Sequence, residues 1–575
     1  MKLSDSAVMN ALAAMVVVAA LSACGTTFDR PPTAQFASPK DCQELNGMVI
    51  PWSTIGMPTN GASVTSTELV PAAGIGAAAV GEYCKVLGDI NPVDSRAPKI
   101  KFQVNLPVAW NNKAMMFAGG GYNGIMAPST LNVPAGPADK QTPLGRGYAT
   151  FGSDSGHQAN ANGNRDGTFG LSDEALNNFS SDALKKTRDV AMTIITARYA
   201  ATATKTYFTG GSTGGREALF AVTRWPQDFD GAIVLYPAWN AATLNLQFGR
   251  MTRELAKPGA YPNLAKRQVL YNAAVAACDA LDGVDDGLIS NVKACNASFN
   301  PVTATLNGAP IRCEGGVDAG DFCLSDAQIA AFNILNTPLV LDYAVASGER
   351  TYPGFNTWGT DFGNPGAGPL QPTVLTLSLG TEQPANPMPA VTATAMPPFG
   401  STFWDQWVKY FVTRDPTFNS LALDPQDPGP WRERILDLTR VQDVNVSDLT
   451  PFMAKGGKIL MAHGSQDALV STRATAQFYE RVRKSMGAAK VDSFIRYYEI
   501  PGYGHVVSNV FNAGWDSVTA LEDWVEKGTA PGKQVVADKG AVPERTRPLC
   551  PYPSWPRYHG SADVNSAQNF NCVTE

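Results

Sequence analysis

Apolar positions recur along this chain in two rhythms. Ala114–Phe117, Tyr148–Phe151, Lys205–Thr209 and Asp230–Tyr236 are short runs of strand length. Ser181–Tyr199 has helical spacing, and Arg216–Trp225 reads as a helix stopped by Pro226. Strands alternating with helices from about Cys42 to Trp239 predict a mostly parallel sheet with crossover helices. The rhythm breaks between 240 and 446. That stretch carries four cysteines, an Asp/Gly-rich loop and a Pro353–Pro398 segment with nine prolines, the composition of an inserted lid. Aromatic residues surround the segment, among them Trp358, Phe399, Phe403, Trp404 and Trp407, and are expected to stack on a substrate. The alternation resumes with a strand at Lys458–Ala462, a helix at Thr472–Met486, a strand at Phe494–Ile500 and a helix at Asp516–Glu526.

The N-terminus changes the picture by adding export. Ala11–Ala20 is apolar but too short to span a bilayer, and suits a signal-peptide core. Small residues Ser22 and Ala23 before Cys24 resemble a bacterial lipobox, with Cys24 lipidated; an ordinary secretory signal cleaved nearby is the alternative. The expected organisation is a signal at 1–23, a tether at 24–40, a catalytic part at 41–239, a lid at 240–446 and a second catalytic part at 447–575. The destination is the outer membrane as a lipoprotein, the periplasm or the medium. Without Cys24, eight cysteines remain. An even number in an exported chain reads as disulfides, and eight permit 105 pairings. Local spacing favours Cys42–Cys84, Cys278–Cys295, Cys313–Cys323 and Cys550–Cys572. Charged residues are 17%, the net charge is −6 and no Lys/Arg cluster stands out, so nucleic acid is a poor partner.

The chemistry centres on Gly210-Gly211-Ser212-Thr213-Gly214, a Gly-x-Ser-x-Gly sequence between a strand and a helix. Small neighbours let a serine occupy a strained strand-to-helix turn, with the Thr213 N–H and the helix start aimed at a developing oxyanion. Asp467 and His505 each follow a later predicted strand, in the chain order Ser, Asp, His. His505 is then the base and Asp467 its orienting partner. The second oxyanion donor is expected in Gly119-Gly120-Gly121, at Gly120 or Gly121. The chain has only four histidines. His463 and His559 read as structural, and His157 either as structural or as lining the site. Cys278–Leu288 gathers Asp279, Asp282 and Asp286 among glycines; with the Val284 and Leu288 carbonyls, this oxygen-rich set suits a structural Ca²⁺ that orders the lid. The alternative is a solvated acidic turn. No organic cofactor is implied.

These segments, with Ser153-Asp154-Ser155-Gly156-His157 and the tail from Arg545 to Pro553, resemble the tannase/feruloyl esterase family of α/β-hydrolases over nearly the whole mature chain. The resemblance implies an α/β-hydrolase fold with a large lid, the four local disulfides, a calcium site in the lid and serine-catalysed hydrolysis of aromatic acid esters (feruloyl, galloyl, benzoyl or terephthalate/phthalate-type). Two departures stand out. The family places a disulfide-linked cysteine pair where this chain has Gly211 and Val506, which puts the rigidity of the Ser212–His505 pair in question. A terephthalate monoester would need a clamp for its free carboxylate, best an arginine fork, yet Thr373–Gly380 has no arginine and Arg414 lies further on. Competing functions are an exported peptidase or acyltransferase on the same fold, and a surface lipoprotein that binds aromatic ligands without turnover.

Overall fold

A computed structural model describes residues 38–540, 542, 544–560 and 562–574. The predicted signal, Cys24 and most of the tether lie outside the described residues. The central sheet has ten strands: β1 (Val49–Ile50), β2 (Ala62–Val70), β3 (Tyr83–Ile90), β4 (Ile100–Pro107), β5 (Lys113–Phe117), β6 (Ala149–Ser153), β7 (Lys205–Gly211), β8 (Gly231–Leu235), β9 (Lys458–Gly464) and β10 (Ile495–Ile500). Their order is β1-β2-β3-β4-β6-β5-β7-β8-β9-β10. From β6 to β10 every pairing is parallel.

Before β5 the expected alternation fails. β1 to β4 form an antiparallel meander that joins β6 through β4, so the sheet is mixed. The reason is in the side-chain pattern. β3 is buried at every second residue, the signature of a strand with one covered face, which antiparallel neighbours tolerate. The central strands β5 to β8 are buried almost throughout.

Helices cover both faces of the parallel part. Those on the sheet are α1 (Ala183–Tyr199), α2 (Thr213–Arg224), α5 (Thr472–Met486) and α6 (Ser517–Lys527), while α3 (Ala241–Leu255) and α4 (Phe399–Gln406), between them in chain order, lie in the insert. Successive strand residues point to opposite faces, and the two cores divide accordingly. Ala114, Met116, Ala232, Val234, Ile459 and Met461 pack with α1, α2 and α5. Met115, Phe117, Ile233, Leu235, Leu460 and Ala462 pack with Leu521 and Trp524 of α6. A third core lies in the insert.

The insert leaves and rejoins the sheet region at one place, where Asn240 bridges Asp443. The buried Asp443 carboxylate accepts the Ala242 N–H at 2.8 Å and the Thr243 hydroxyl at 2.6 Å. It thus satisfies the start of α3 from across the chain. Four disulfides, Cys42–Cys84, Cys278–Cys295, Cys313–Cys323 and Cys550–Cys572, match the local pairing. Such bonds belong to an oxidising compartment. Among the described residues no helix is long and apolar enough to cross a membrane.

Candidate active site

Three loops at the carboxyl ends of parallel strands meet over the sheet. After β7, Ser212 adopts φ 61° and ψ −125°, a conformation that costs a non-glycine residue strain energy. Its surroundings explain the flanking glycines. A Cβ on Gly210 would stand 2.3 Å from the Gly214 carbonyl oxygen, and one on Gly214 would stand 2.7 Å from the Gly119 carbonyl oxygen. Gly214→Ala is therefore expected to push the 119–121 loop outward. Overpacking of this kind costs about 1–3 kcal/mol, and the misplacement costs about 100-fold in turnover. Gly120→Ala meets nothing within 4 Å and is expected to leave stability unchanged. Thermal melts and rates on the two variants check the contrast.

Asp467 follows β9 and His505 follows β10. His505 Nε2 lies 3.0 Å from Ser212 Oγ, and its Nδ1 lies 2.7 Å from Asp467 Oδ2. The other Asp467 oxygen accepts the Leu469 and Val470 N–H groups, both at 2.8 Å. Burial alone would raise the Asp467 pKa, but His505 and His463 beside it hold the carboxyl well below the usual carboxylate range. The structure thus brings together the three residues picked out in the sequence, in one hydrogen-bonded chain.

His463 has more to do than its sequence position indicates. Fully buried, its Nε2 lies 3.1 Å from Asp467 Oδ2 and 3.0 Å from the Val470 carbonyl, and its Nδ1 lies 2.8 Å from Thr475 Oγ1. Two acceptors at Nε2 put the proton there and leave Nδ1 to accept from the threonine. His463 is thus a fixed donor behind the carboxylate. His157 stacks on Phe169 at 3.7 Å between centroids, and burial pulls its pKa down to about 4, so it packs as a neutral ring. His559 is an exposed residue of the tail.

Ser212, Thr213, His505, Gly120 and Gly121 open onto a cavity of about 120 Å³. The N–H of Thr213 is one of the first in α2, which lack intrahelical partners. Gly120 and Gly121 give their N–H groups to no other backbone group. These are the groups among which the two oxyanion donors were expected, Thr213 and either Gly120 or Gly121.

The cavity wall is largely apolar and includes Tyr122, Phe179, Phe248, Phe399 and Phe403. Phe399 and Phe403 were expected there. Phe403 stacks between Phe399 at 4.9 Å and Tyr122 at 4.1 Å. Phe179 reaches the wall from a π-type turn, Asn178–Asp182, that precedes α1. Trp358, Trp404 and Trp407 do not line the cavity. The indole N–H groups of Trp404 and Trp407 are bonded to the Ser420 carbonyl and Gln442 Oε1, and Trp358 packs on Phe299. All three are buried in the core of the insert and present no face to a ligand. In α4, residues 399 and 403 are one turn apart and share a face, with 404 on another, and Trp407 lies past the end of α4 in a π-type turn, Trp407–Val412, that changes its direction.

Two further expectations are settled by geometry. Arg414 pairs with Asp173 away from the cavity. Two guanidinium groups do reach the aromatic wall: Arg216, 4.6 Å from the Phe179 ring, and Arg165, 4.4 Å over the Phe399 ring. Arg165 Nη2 donates to the Thr376 carbonyl at 3.2 Å, while its Nη1 is buried without a partner. Burial pulls its pKa down to about 10. The missing cysteine pair is replaced by packing. A Cβ on Gly211 would stand 2.4 Å from the Tyr236 ring. That buried ring lies 4.9 Å from the His505 imidazole and braces it. Val506 holds φ 68°, unusual strain for a β-branched residue, at the rim of the cavity.

The family model described as tannase and feruloyl esterase matches residues 84–573. An uncharacterized esterase of Agrobacterium fabrum is 38% identical over 558 residues, covering 95% of this chain and 96% of the relative. The mono(2-hydroxyethyl) terephthalate hydrolase of Piscinibacter sakaiensis is 30% identical over 544 residues, covering 86% of each chain. Among solved structures, feruloyl esterase B from Aspergillus oryzae superposes with a TM-score of 0.71 at 22% identity, over 90% of this chain and 98% of that one. Its likeness extends to the fold, an α/β-hydrolase with a mixed sheet flanked by helices. With a family model spanning most of its length and a relative of the same length at 38% identity, the chain belongs to the tannase and feruloyl esterase family and is a carboxylic ester hydrolase.

Proposed function

We propose that the protein is an exported serine esterase acting on esters of aromatic acids, of feruloyl, galloyl, benzoyl or terephthalate/phthalate type. The observation that carries this reading is the Ser212–His505–Asp467 chain opening onto a cavity walled by stacked aromatic rings. Ser212 Oγ attacks the ester carbonyl carbon while His505 Nε2 takes its proton. The oxyanion is held by N–H groups of Thr213 and of Gly120 or Gly121. Collapse of the tetrahedral intermediate expels the alcohol, which takes the proton from His505. A water then gives its proton to His505 and attacks the acyl-serine, and as the second tetrahedral intermediate collapses Ser212 Oγ takes that proton back from His505 and the acid is released. Asp467 keeps the imidazole in the tautomer that accepts from serine. The test is hydrolysis of methyl ferulate, methyl gallate, a benzoate ester, a terephthalate monoester and 4-nitrophenyl butyrate. Faster turnover of the aromatic acyl esters is expected; turnover of the butyrate alone would overturn the aromatic preference.

The same proposal extends to calcium and to anchoring. Asp279, Asp282 and Asp286, with the Val284 and Leu288 carbonyls, would hold Ca²⁺ beside the Cys278–Cys295 disulfide. One oxygen of Asp279 is buried without a hydrogen-bond partner among the described residues. Burial raises the pKa of all three carboxyls, that of Asp282 to about 7. Asp286 is paired with Arg547, while the features of Asp279 and Asp282 are those of acids in need of a cation. The carboxylates accept backbone N–H groups at Gly287, Ser290 and Leu288, and among the described residues no three acidic, histidine or cysteine side chains form a metal-holding group. The ion would supply positive charge and order the loop. A site saturated a hundredfold above its Kd adds about 2.7 kcal/mol. Chelation is therefore expected to lower Tm by about 2 °C, reversibly on adding Ca²⁺, and Asp282→Asn to abolish that response. An unchanged melt would remove the site. Lipidation at Cys24 would tether the enzyme to a membrane surface, and mass spectrometry of the mature N-terminus tests it.

A further inference from the structure

Helix α2 carries an acid that the reaction scheme does not use. Glu217 lies five residues after Ser212 and is 1% exposed. Its Oε1 accepts Asn123 Nδ2 at 2.6 Å and the Ser155 hydroxyl at 3.5 Å. Asn123 Nδ2 reaches Ser155 Oγ at 2.7 Å as well. Asn123 itself holds φ 59°, so this side chain is anchored where the backbone is strained. Gly119 and Asn123 are the two ends of a turn whose middle, Gly120 and Gly121, lines the cavity beside Ser212. On the other side of that turn the Thr213 hydroxyl donates to the Gly121 carbonyl at 2.7 Å. Both clamps come from one helix, the helix that also starts at the nucleophile. A buried carboxylate is costly unless its oxygens are satisfied. Burial pushes Glu217 up to about 7, against the pull of Arg216, Asn123, Gly119 and Ser155.

We propose that Glu217 is a positioning residue for the oxyanion site, fixing the N–H groups of Gly120 and Gly121 relative to Ser212 through Asn123. This rests on the serine-esterase reading. A tetrahedral intermediate forms only if its donors wait at the right distance, and a shift of about 1 Å costs about 100-fold. Substrate binding through the aromatic wall does not need them. The loss therefore falls on kcat rather than KM.

The test uses the full mature chain with Glu217→Gln, Glu217→Leu and Asn123→Ser, assayed on 4-nitrophenyl butyrate and the best aromatic ester. Phenylboronic acid serves as the mimic of the tetrahedral state. Glutamine keeps the shape and one acceptor oxygen; leucine keeps none. The expected result is a kcat loss of about tenfold for Glu217→Gln and about 100-fold for Glu217→Leu, with KM within about twofold. The phenylboronic acid inhibition constant should rise in step with the kcat loss, and a fluorophosphonate should still label Ser212. Should Glu217→Leu fail to fold, Glu217→Gln and Asn123→Ser carry the same comparison. Wild-type kcat in Glu217→Gln and Asn123→Ser, or a KM rise with an unchanged boronate constant, overturns the inference. A wild-type protein that a fluorophosphonate does not label overturns the esterase reading instead.

Discussion

Alanine at position 212 is expected to leave a folded protein whose ester turnover is roughly a millionfold below wild type, the scale on which serine hydrolases lose kcat without their nucleophile. Ser212 Oγ makes its bond to His505 Nε2 at 3.0 Å, and the rest of the elbow is held by backbone. The Ser212 N–H donates to the Leu235 carbonyl at 3.1 Å, and its own carbonyl accepts from Gly215 and Ala238 at 3.0 Å. Removing one hydroxyl disturbs none of these, so the thermal melt should barely move. Fluorophosphonate labelling, which needs an activated oxygen, should vanish. The aromatic wall is untouched, and aromatic acid products should bind as before. Turnover in Ser212→Ala within tenfold of wild type would sink the nucleophile assignment. An unreactive wild-type serine beside intact product binding would favour a binding protein without turnover.

Asp467→Asn is expected to cost about 10⁴-fold in kcat, the scale of a base held in the wrong tautomer. Asp467 accepts from four donors: two backbone N–H groups at one oxygen and two imidazole nitrogens at the other. An asparagine has one acceptor and one donor group. Keeping its carbonyl on Leu469 and Val470 turns the amide N–H₂ toward His505 Nδ1. The imidazole then carries its proton on Nε2 and cannot take one from Ser212. His463 Nε2–H faces the same amide, so it loses one of its two acceptors and keeps only the Val470 carbonyl at 3.0 Å. The stability difference carries a pH signature. A carboxyl whose pKa is depressed by folding stabilises the native state above its unfolded pKa of about 3.9, and that contribution is lost as pH falls. The gap between wild type and Asp467→Asn should therefore be widest near neutrality and narrow in acid. A variant with wild-type kcat, or one whose loss appears only in KM, would mean that the carboxylate does not orient the base.

The tether question is also answered by packing. Where the family resemblance leads one to expect a disulfide between the nucleophile and histidine loops, the Tyr236 ring fills the space next to Gly211 and lies against His505. The loops after β9 and β10 are cross-bonded as well. The Ser465 N–H donates to the Ile500 carbonyl, the Gln466 N–H to the Tyr503 carbonyl, and the Gly502 N–H to Ser465 Oγ. Backbone bonds and a buried ring thus hold Asp467 and His505 in register.

Much of this was legible in one dimension because it is local. The glycines around Ser212 are demanded by a turn within five residues. Asp467 and His505 follow strands whose apolar runs are recognisable, and parallel strands deliver their following loops to one edge of a sheet. Helix α5 occupies the predicted Thr472–Met486, and the four disulfides join near neighbours in sequence. What remained hidden depends on which surfaces meet. The meander β1 to β4 has an alternating pattern, but the pairing partners that make it antiparallel are tertiary. Aromatic residues near 400 announce a lined or packed region, yet only the docking of α4 on α3 and the π-type turn that follows α4 put Phe399 and Phe403 at the cavity and send Trp404 and Trp407 inward. His463 behind Asp467, Arg165 over Phe399, Tyr236 against His505 and Glu217 beneath the glycine turn leave no motif in the sequence. Each is defined by a neighbour distant in sequence or one whose side-chain direction is set by packing. The sequence by itself picked out Ser212, Asp467 and His505 and the strands that carry them, since short-range sterics and chain order suffice for these. The tertiary structure alone decided the wall of the pocket and the groups that steady the triad, because burial and hydrogen-bond partnership exist only once distant segments have packed together.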